Sequence, residues 1–88
     1  MAYQVLLVRR SEREFDSLSV SVRLKVLKVL ELLQTDPFQG KALKGPLLGC
    51  WTIRAWPFRV VYEVDQKKRM VYIVTITHRK DAYRHVSK

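Results

Sequence analysis

Arg54, Arg59, His78, Arg79 and Tyr83 are the side chains best suited to chemistry on a polyanion. All lie in one stretch, Trp51–Tyr83, which reads WTIRAWPFRVVYEVDQKKRMVYIVTITHRKDAY. Arginine stays charged at any physiological pH, and its fork binds two phosphate oxygens at once. His78 is the one histidine in this stretch, and histidine is the side-chain type whose ordinary titration range lies near neutrality. Tyr83 can stack on a base or hydrogen-bond a phosphate. Lys41 and Lys44 on a preceding loop, with Lys80 at the end of the stretch, add phosphate attraction. The partner class this set favours is RNA.

The elements that must position these residues are strands. Phe58–Val64 and Met70–Thr77 are the most strand-like runs in the chain, joined by the polar Asp65–Lys68. Side chains alternate along a strand, so Phe58, Val60, Tyr62 and Val64 share one face, and Arg59, Val61 and Glu63 the other. The same alternation means that His78 and Arg79 cannot both face one site if the strand stays regular to its end. Phe58 and Tyr62 read as core. Trp56, beside Pro57 at a turn, is the aromatic expected to be exposed, where it could stack a base.

Composition narrows the partner. The 88 residues carry 17 Lys and Arg against 8 Asp and Glu, a net charge of +9. Such an excess favours nucleic acid, an acidic protein or a membrane surface. An apolar content of 48% argues against disorder. The length suits a single domain over residues 1–88. Cys50 is the lone cysteine, so no intrachain disulfide can form, and Cys50, His78 and His85 are too few and too scattered for zinc. No apolar run approaches the roughly 20 residues of a membrane span. MAYQVLLVRR lacks the layout of a secretory signal. A cytoplasmic protein with no membrane partner is expected.

Taken in order, Tyr3–Val8 reads as a strand. Ser11 and Glu14 have capping-box spacing, which predicts a short helix to about Leu18. Ser19 is the preferred cap of a second helix running to Thr35. Val22, Val26, Val29, Leu30 and Leu33 form its apolar stripe. Val20, Leu24 and Leu27 form a second stripe, expected to pack on the first helix; the alternative is a partner protein. Residues 37–49 read as a loop, Trp51–Trp56 as a strand, and Asp81–His85 as a last helical turn. The order is β-α-α-β-β-β. The fold class is α+β: a small antiparallel sheet covered on one face by a helical hairpin, with a short C-terminal turn or helix.

The order of elements, the loop KALKG, the strand pair CWTIRAW and FRVVYEV, and the ending VTITHRKDAYR resemble the RelE/ParE toxin superfamily over nearly the whole chain. The match is best to the RelE-like branch, whose members cleave messenger RNA on the ribosome. The resemblance implies the toxin of a type II toxin–antitoxin system, with a RelB-like antitoxin, mRNA and the ribosome as partners. It places a basic loop residue at Lys44, a strand cation at Arg54, and arginines at Arg59 and Arg79, with the C-terminal tyrosine at Tyr83. It also places a lysine where this chain has Thr52, which leaves the proton acceptor unassigned.

RNA is cut when its 2′-hydroxyl attacks the adjacent phosphate. A protein helps by taking the 2′ proton, by stabilising the charged transition state and by protonating the leaving 5′ oxygen. None of these needs a metal or another cofactor. Arg59, supported by Arg54, suits the transition state, and Arg79 the leaving side. His78 is the candidate base or acid in place of Thr52. A ParE-like toxin that inhibits DNA gyrase, and a basic RNA- or ribosome-binding module without catalysis, are the competing readings.

Overall fold

The computed structural model describes residues 2–81. The elements run β1 (Gln4–Leu7), α1 (Arg9–Asp16), α2 (Val20–Thr35), β2 (Lys41–Ala42), β3 (Cys50–Ala55), β4 (Phe58–Asp65) and β5 (Met70–His78). Short 3₁₀ turns cover Gly45–Leu47 and Arg79–Asp81. The strands form one sheet in the order β1-β5-β4-β3-β2. β3, β4 and β5 make the expected antiparallel meander, and β1 joins β5 in parallel. That parallel pair is available because α1 and α2 carry the chain from one edge of the sheet to the other.

Ser19 caps α2, its Oγ accepting from the Val22 N–H at 3.4 Å. Asp36-Pro37 ends the helix at the predicted place. Val26, Val29, Leu30 and Leu33 are buried on Val60, Tyr62, Val71, Ile73 and Ile76 of the sheet, with Leu18 and Ala55 completing the core. Phe58, Val60, Tyr62 and Val64 share the core face, as alternation requires.

Three local expectations are corrected. Ser11 and Glu14 do not form a capping box. The helix begins at Arg9, with Val8 in the cap position, and buried Ser11 donates to the Val8 carbonyl at 2.9 Å. Glu14 reaches the sheet instead. Its carboxylate accepts from the Thr75 hydroxyl at 2.8 and 2.9 Å and from the Ile76 N–H at 2.8 Å. β1 ends opposite Ile73, so β5 runs on unpaired along that edge, and Glu14 supplies the acceptor a neighbouring strand would have given.

The second stripe of α2 does not pack on α1. Val20, Leu24 and Leu27 are 65%, 57% and 45% exposed. At 3.6 residues per turn these positions lie across the helical cylinder from the core stripe, where no part of the sheet can reach them. The loop over residues 37–49 also contains an edge strand that its glycines and prolines concealed. β2 pairs Lys41 with Thr52 and Ala42 with Trp51.

Candidate functional site

The face of the sheet away from the core carries the candidate cations. β3 and β4 pair Thr52 with Val61 and Arg54 with Arg59, and β5 pairs Thr77 with Arg59. Residues paired directly across strands share a face. Lys41 joins the same face through its pairing with Thr52. An open groove of about 750 Å³ runs along it, lined by Gln39, Gly40, Lys41, Leu43, Thr52, Ile53, Arg54 and Arg59.

Of the lining residues, Arg54 and Arg59 lie nearest in the ladder to the turn between β3 and β4, which consists of Trp56 and Pro57 joined by a cis peptide bond. The Trp56 ring has three guanidinium groups over it. Arg79 lies 5.3 Å from the ring centroid, Arg54 5.7 Å and Arg59 5.8 Å. The turn is held from two sides. Lys25 of α2 donates to the Trp56 carbonyl at 3.2 Å, and the Arg79 N–H donates to the Pro57 carbonyl at 2.9 Å. Two strand arginines and one from the 3₁₀ turn after β5 therefore converge on one half-exposed indole.

His78 is not brought to this cluster. It pairs with Phe58 across β4 and β5, and the two rings meet edge to face with centroids 5.2 Å apart. Its Nδ1 accepts from the Lys80 N–H at 3.2 Å. Thr77 is paired with Arg59, so strand alternation gives His78 to the core face, away from Arg59, while Arg79 reaches Trp56 from the 3₁₀ turn beyond β5. Lys44 and Lys80 are exposed on turns outside the groove lining. Tyr83 lies outside the described residues.

Two groups near the groove are chemically constrained. The Thr52 hydroxyl is buried and has no hydrogen-bond partner among the described residues. Burial and the neighbouring Glu63 carboxylate push the Cys50 thiol up, which disfavours a thiolate nucleophile at neutral pH.

Trp56 was expected as an exposed aromatic able to stack a base, not as the meeting point of the arginines, and Lys25 was expected only on the polar side of α2. The signal for Trp56 was present. Residues 54 and 56 are two apart and so share a strand face, and the two-residue turn brings Arg59 back beside them. Lys25 could not be found this way, because its partner is a carbonyl 31 positions away in the chain.

The fold has close counterparts among solved structures. The toxin–antitoxin complex RelBE2 from Mycobacterium tuberculosis matches with a TM-score of 0.83 at 24% identity, covering 89% of this chain and 99% of that one. Free Escherichia coli toxin RelE, in a mutant form, matches with a TM-score of 0.80 at 25% identity, covering 97% and 92%. In sequence, the chain is 28% identical over 86 residues to Toxin RelG of Mycobacterium tuberculosis, spanning 96% of this chain and 99% of that protein. The profile of the ParE toxin of type II toxin–antitoxin systems (parDE) matches residues 6–83. With that profile spanning nearly the whole sequence, the chain belongs to the ParE toxin family of type II toxin–antitoxin systems, within the RelE/ParE superfamily.

Proposed function

We propose that this toxin is a metal-independent endoribonuclease that cleaves mRNA at the ribosome and so inhibits translation in the cytoplasm. The observation that carries this reading is the convergence of Arg54, Arg59 and Arg79 on Trp56, beside an open groove that Arg54 and Arg59 line. Three guanidiniums within one site match the charge of an RNA backbone bent for in-line attack.

In the proposed reaction the 2′-oxygen bonds to phosphorus as the bond to the 5′-oxygen breaks. The proton lost by the first oxygen is matched by one gained by the second, and the products are a 2′,3′-cyclic phosphate and a 5′-hydroxyl. Arg59, half-buried and centrally placed, binds the non-bridging oxygens where negative charge builds. Arg54 supports it from the opposite strand. Arg79 neutralises the leaving side, a task that its permanent charge suits better than proton donation. Lys41 holds phosphate along the groove, and Lys44 and Lys80 add long-range attraction. Tyr83 is proposed to stack on a base. His78, turned to Phe58, takes no part in this scheme.

The partner proposed to silence the toxin is a RelB-like antitoxin, as in the RelBE complex of Escherichia coli, which matches with a TM-score of 0.77 at 26% identity. The exposed stripe of Val20, Leu24 and Leu27 suits an amphipathic helix, and the +9 charge suits an acidic segment laid over the arginines.

Inducing the toxin alone and mapping mRNA ends tests the reading. Cuts that follow codon position are expected. Intact mRNA with inhibited gyrase supercoiling would replace it with the ParE-like reading, and RNA binding without cuts would leave a non-catalytic binding module.

A further inference from the structure

The indole of Trp56 has no part in the reaction just described, yet all three arginines meet at it. Arg54 and Arg59 face each other directly across β3 and β4, where like charges repel. Arg79 adds a third positive charge beside them. The ring's negative face attracts each of these cations. A guanidinium that rests on an aromatic ring uses its own face to do so, which leaves its in-plane N–H donors free for phosphate oxygens.

From this geometry we infer that Trp56 is the positioning residue of the site: it gathers Arg54, Arg59 and Arg79 into one preformed receptor for the backbone phosphates of single-stranded RNA. The inference rests on the RNA-cleaving reading and adds to it a residue that need not touch the reacting atoms. The turn suits the role because it is fixed at both ends. Lys25 holds the Trp56 carbonyl and the Arg79 backbone holds the Pro57 carbonyl, so the backbone that carries the ring is anchored. Without the ring, three long side chains would each have to be ordered, against mutual repulsion, at the moment of binding.

The test is the affinity for a 2′-O-methyl oligoribonucleotide, which binds but cannot be cut by 2′-hydroxyl attack. Trp56→Leu is expected to weaken binding about tenfold and Trp56→Phe about twofold, following the strength of the ring quadrupole. The chain of 88 residues is short enough for chemical synthesis, so tetrafluorotryptophan can also be placed at position 56. Fluorination keeps the ring's shape and drains its negative face, so affinity should fall toward that of Trp56→Leu while the melting temperature holds. A purely structural role would leave the fluorinated protein binding normally, and that result would overturn the inference even if Trp56→Leu folds poorly. Arg59→Ala is the control. If it weakens binding while Trp56→Leu and the fluorinated ring leave it intact, Trp56 loses its role and the RNA site stands. If Arg59→Ala also binds normally, the RNA site itself is wrong and the inference goes with it.

Discussion

Arg54 and Arg59 occupy directly opposed positions in the β3–β4 ladder, both with their guanidiniums within 6 Å of the Trp56 ring centroid. Opposed like charges destabilise a sheet. The Trp56 ring offsets part of that repulsion, and a bound phosphate would relieve the rest. Arg54→Gln is therefore expected to raise the urea midpoint slightly while weakening RNA binding. It should also reduce the slope of log affinity against log salt by about one, since one phosphate contact is lost. Parallel denaturation and salt titrations check both halves. A variant that loses stability and keeps its salt slope would show that Arg54 serves the fold.

The apolar outer stripe of α2 gives a second expectation. Leu24→Glu combined with Leu27→Glu should leave the toxin folded and toxic, because both side chains are about half exposed. Neutralisation by the cognate antitoxin should fail. Re-exposing even part of two leucine contacts loses about 2–3 kcal/mol of binding, or roughly 30- to 150-fold in affinity. Co-expression rescue and a pull-down with the tagged antitoxin read this out.

Tyr62 sets an alkaline limit. Its ring is fully buried in the core, and burial pushes its phenol from 10.0 up to about 12, with the Asp36 charge adding to the rise and the hydrogen bond from the Gly40 N–H opposing it. The folded state thus holds the proton more tightly than the unfolded chain. That stabilisation is complete below about pH 10 and is lost as pH rises toward 12, by on the order of 1–2 kcal/mol. Tyr62→Phe should flatten this part of the pH–stability curve while losing the Gly40 hydrogen bond at every pH. Thermal melts between pH 8 and 11.5 compare the two.

Glu14 provides the stability test of the sheet edge. Glu14→Ala leaves the Ile76 N–H and the buried Thr75 hydroxyl without their acceptor. A destabilisation of about 2–3 kcal/mol is expected, measurable as a lower urea midpoint. Hydrogen exchange at the Ile76 amide should speed up beyond what the global loss requires.

Much of this architecture was legible in the chain because strong periodicities were present. Alternation in FRVVYEV placed Tyr62 in the core and Arg59 opposite it, and Ser19 and Pro37 bracketed α2 correctly. What stayed hidden depends on contacts between distant residues. Ser11 and Glu14 have the spacing of a local cap, but an unpaired strand edge is a stronger attraction for a carboxylate than its own helix terminus. The bulge between Val61 and Tyr62 sets the pairing of β5 that places His78 opposite Phe58, and no local motif marks it. The arginines could each be singled out as candidate phosphate contacts. Their meeting at Trp56 required knowing that a two-residue turn and the end of β5 lie side by side.

The three arginines are proposed to stabilise the charge that develops as mRNA is cut. The most direct measurement of that role is the single-turnover cleavage rate on ribosomes translating a defined mRNA, with saturating toxin. Arg59→Ala and Arg79→Ala should each lower that rate by about 10²- to 10³-fold, with melting temperatures near that of the parent. Cleavage by either variant at the parental rate would contradict the account.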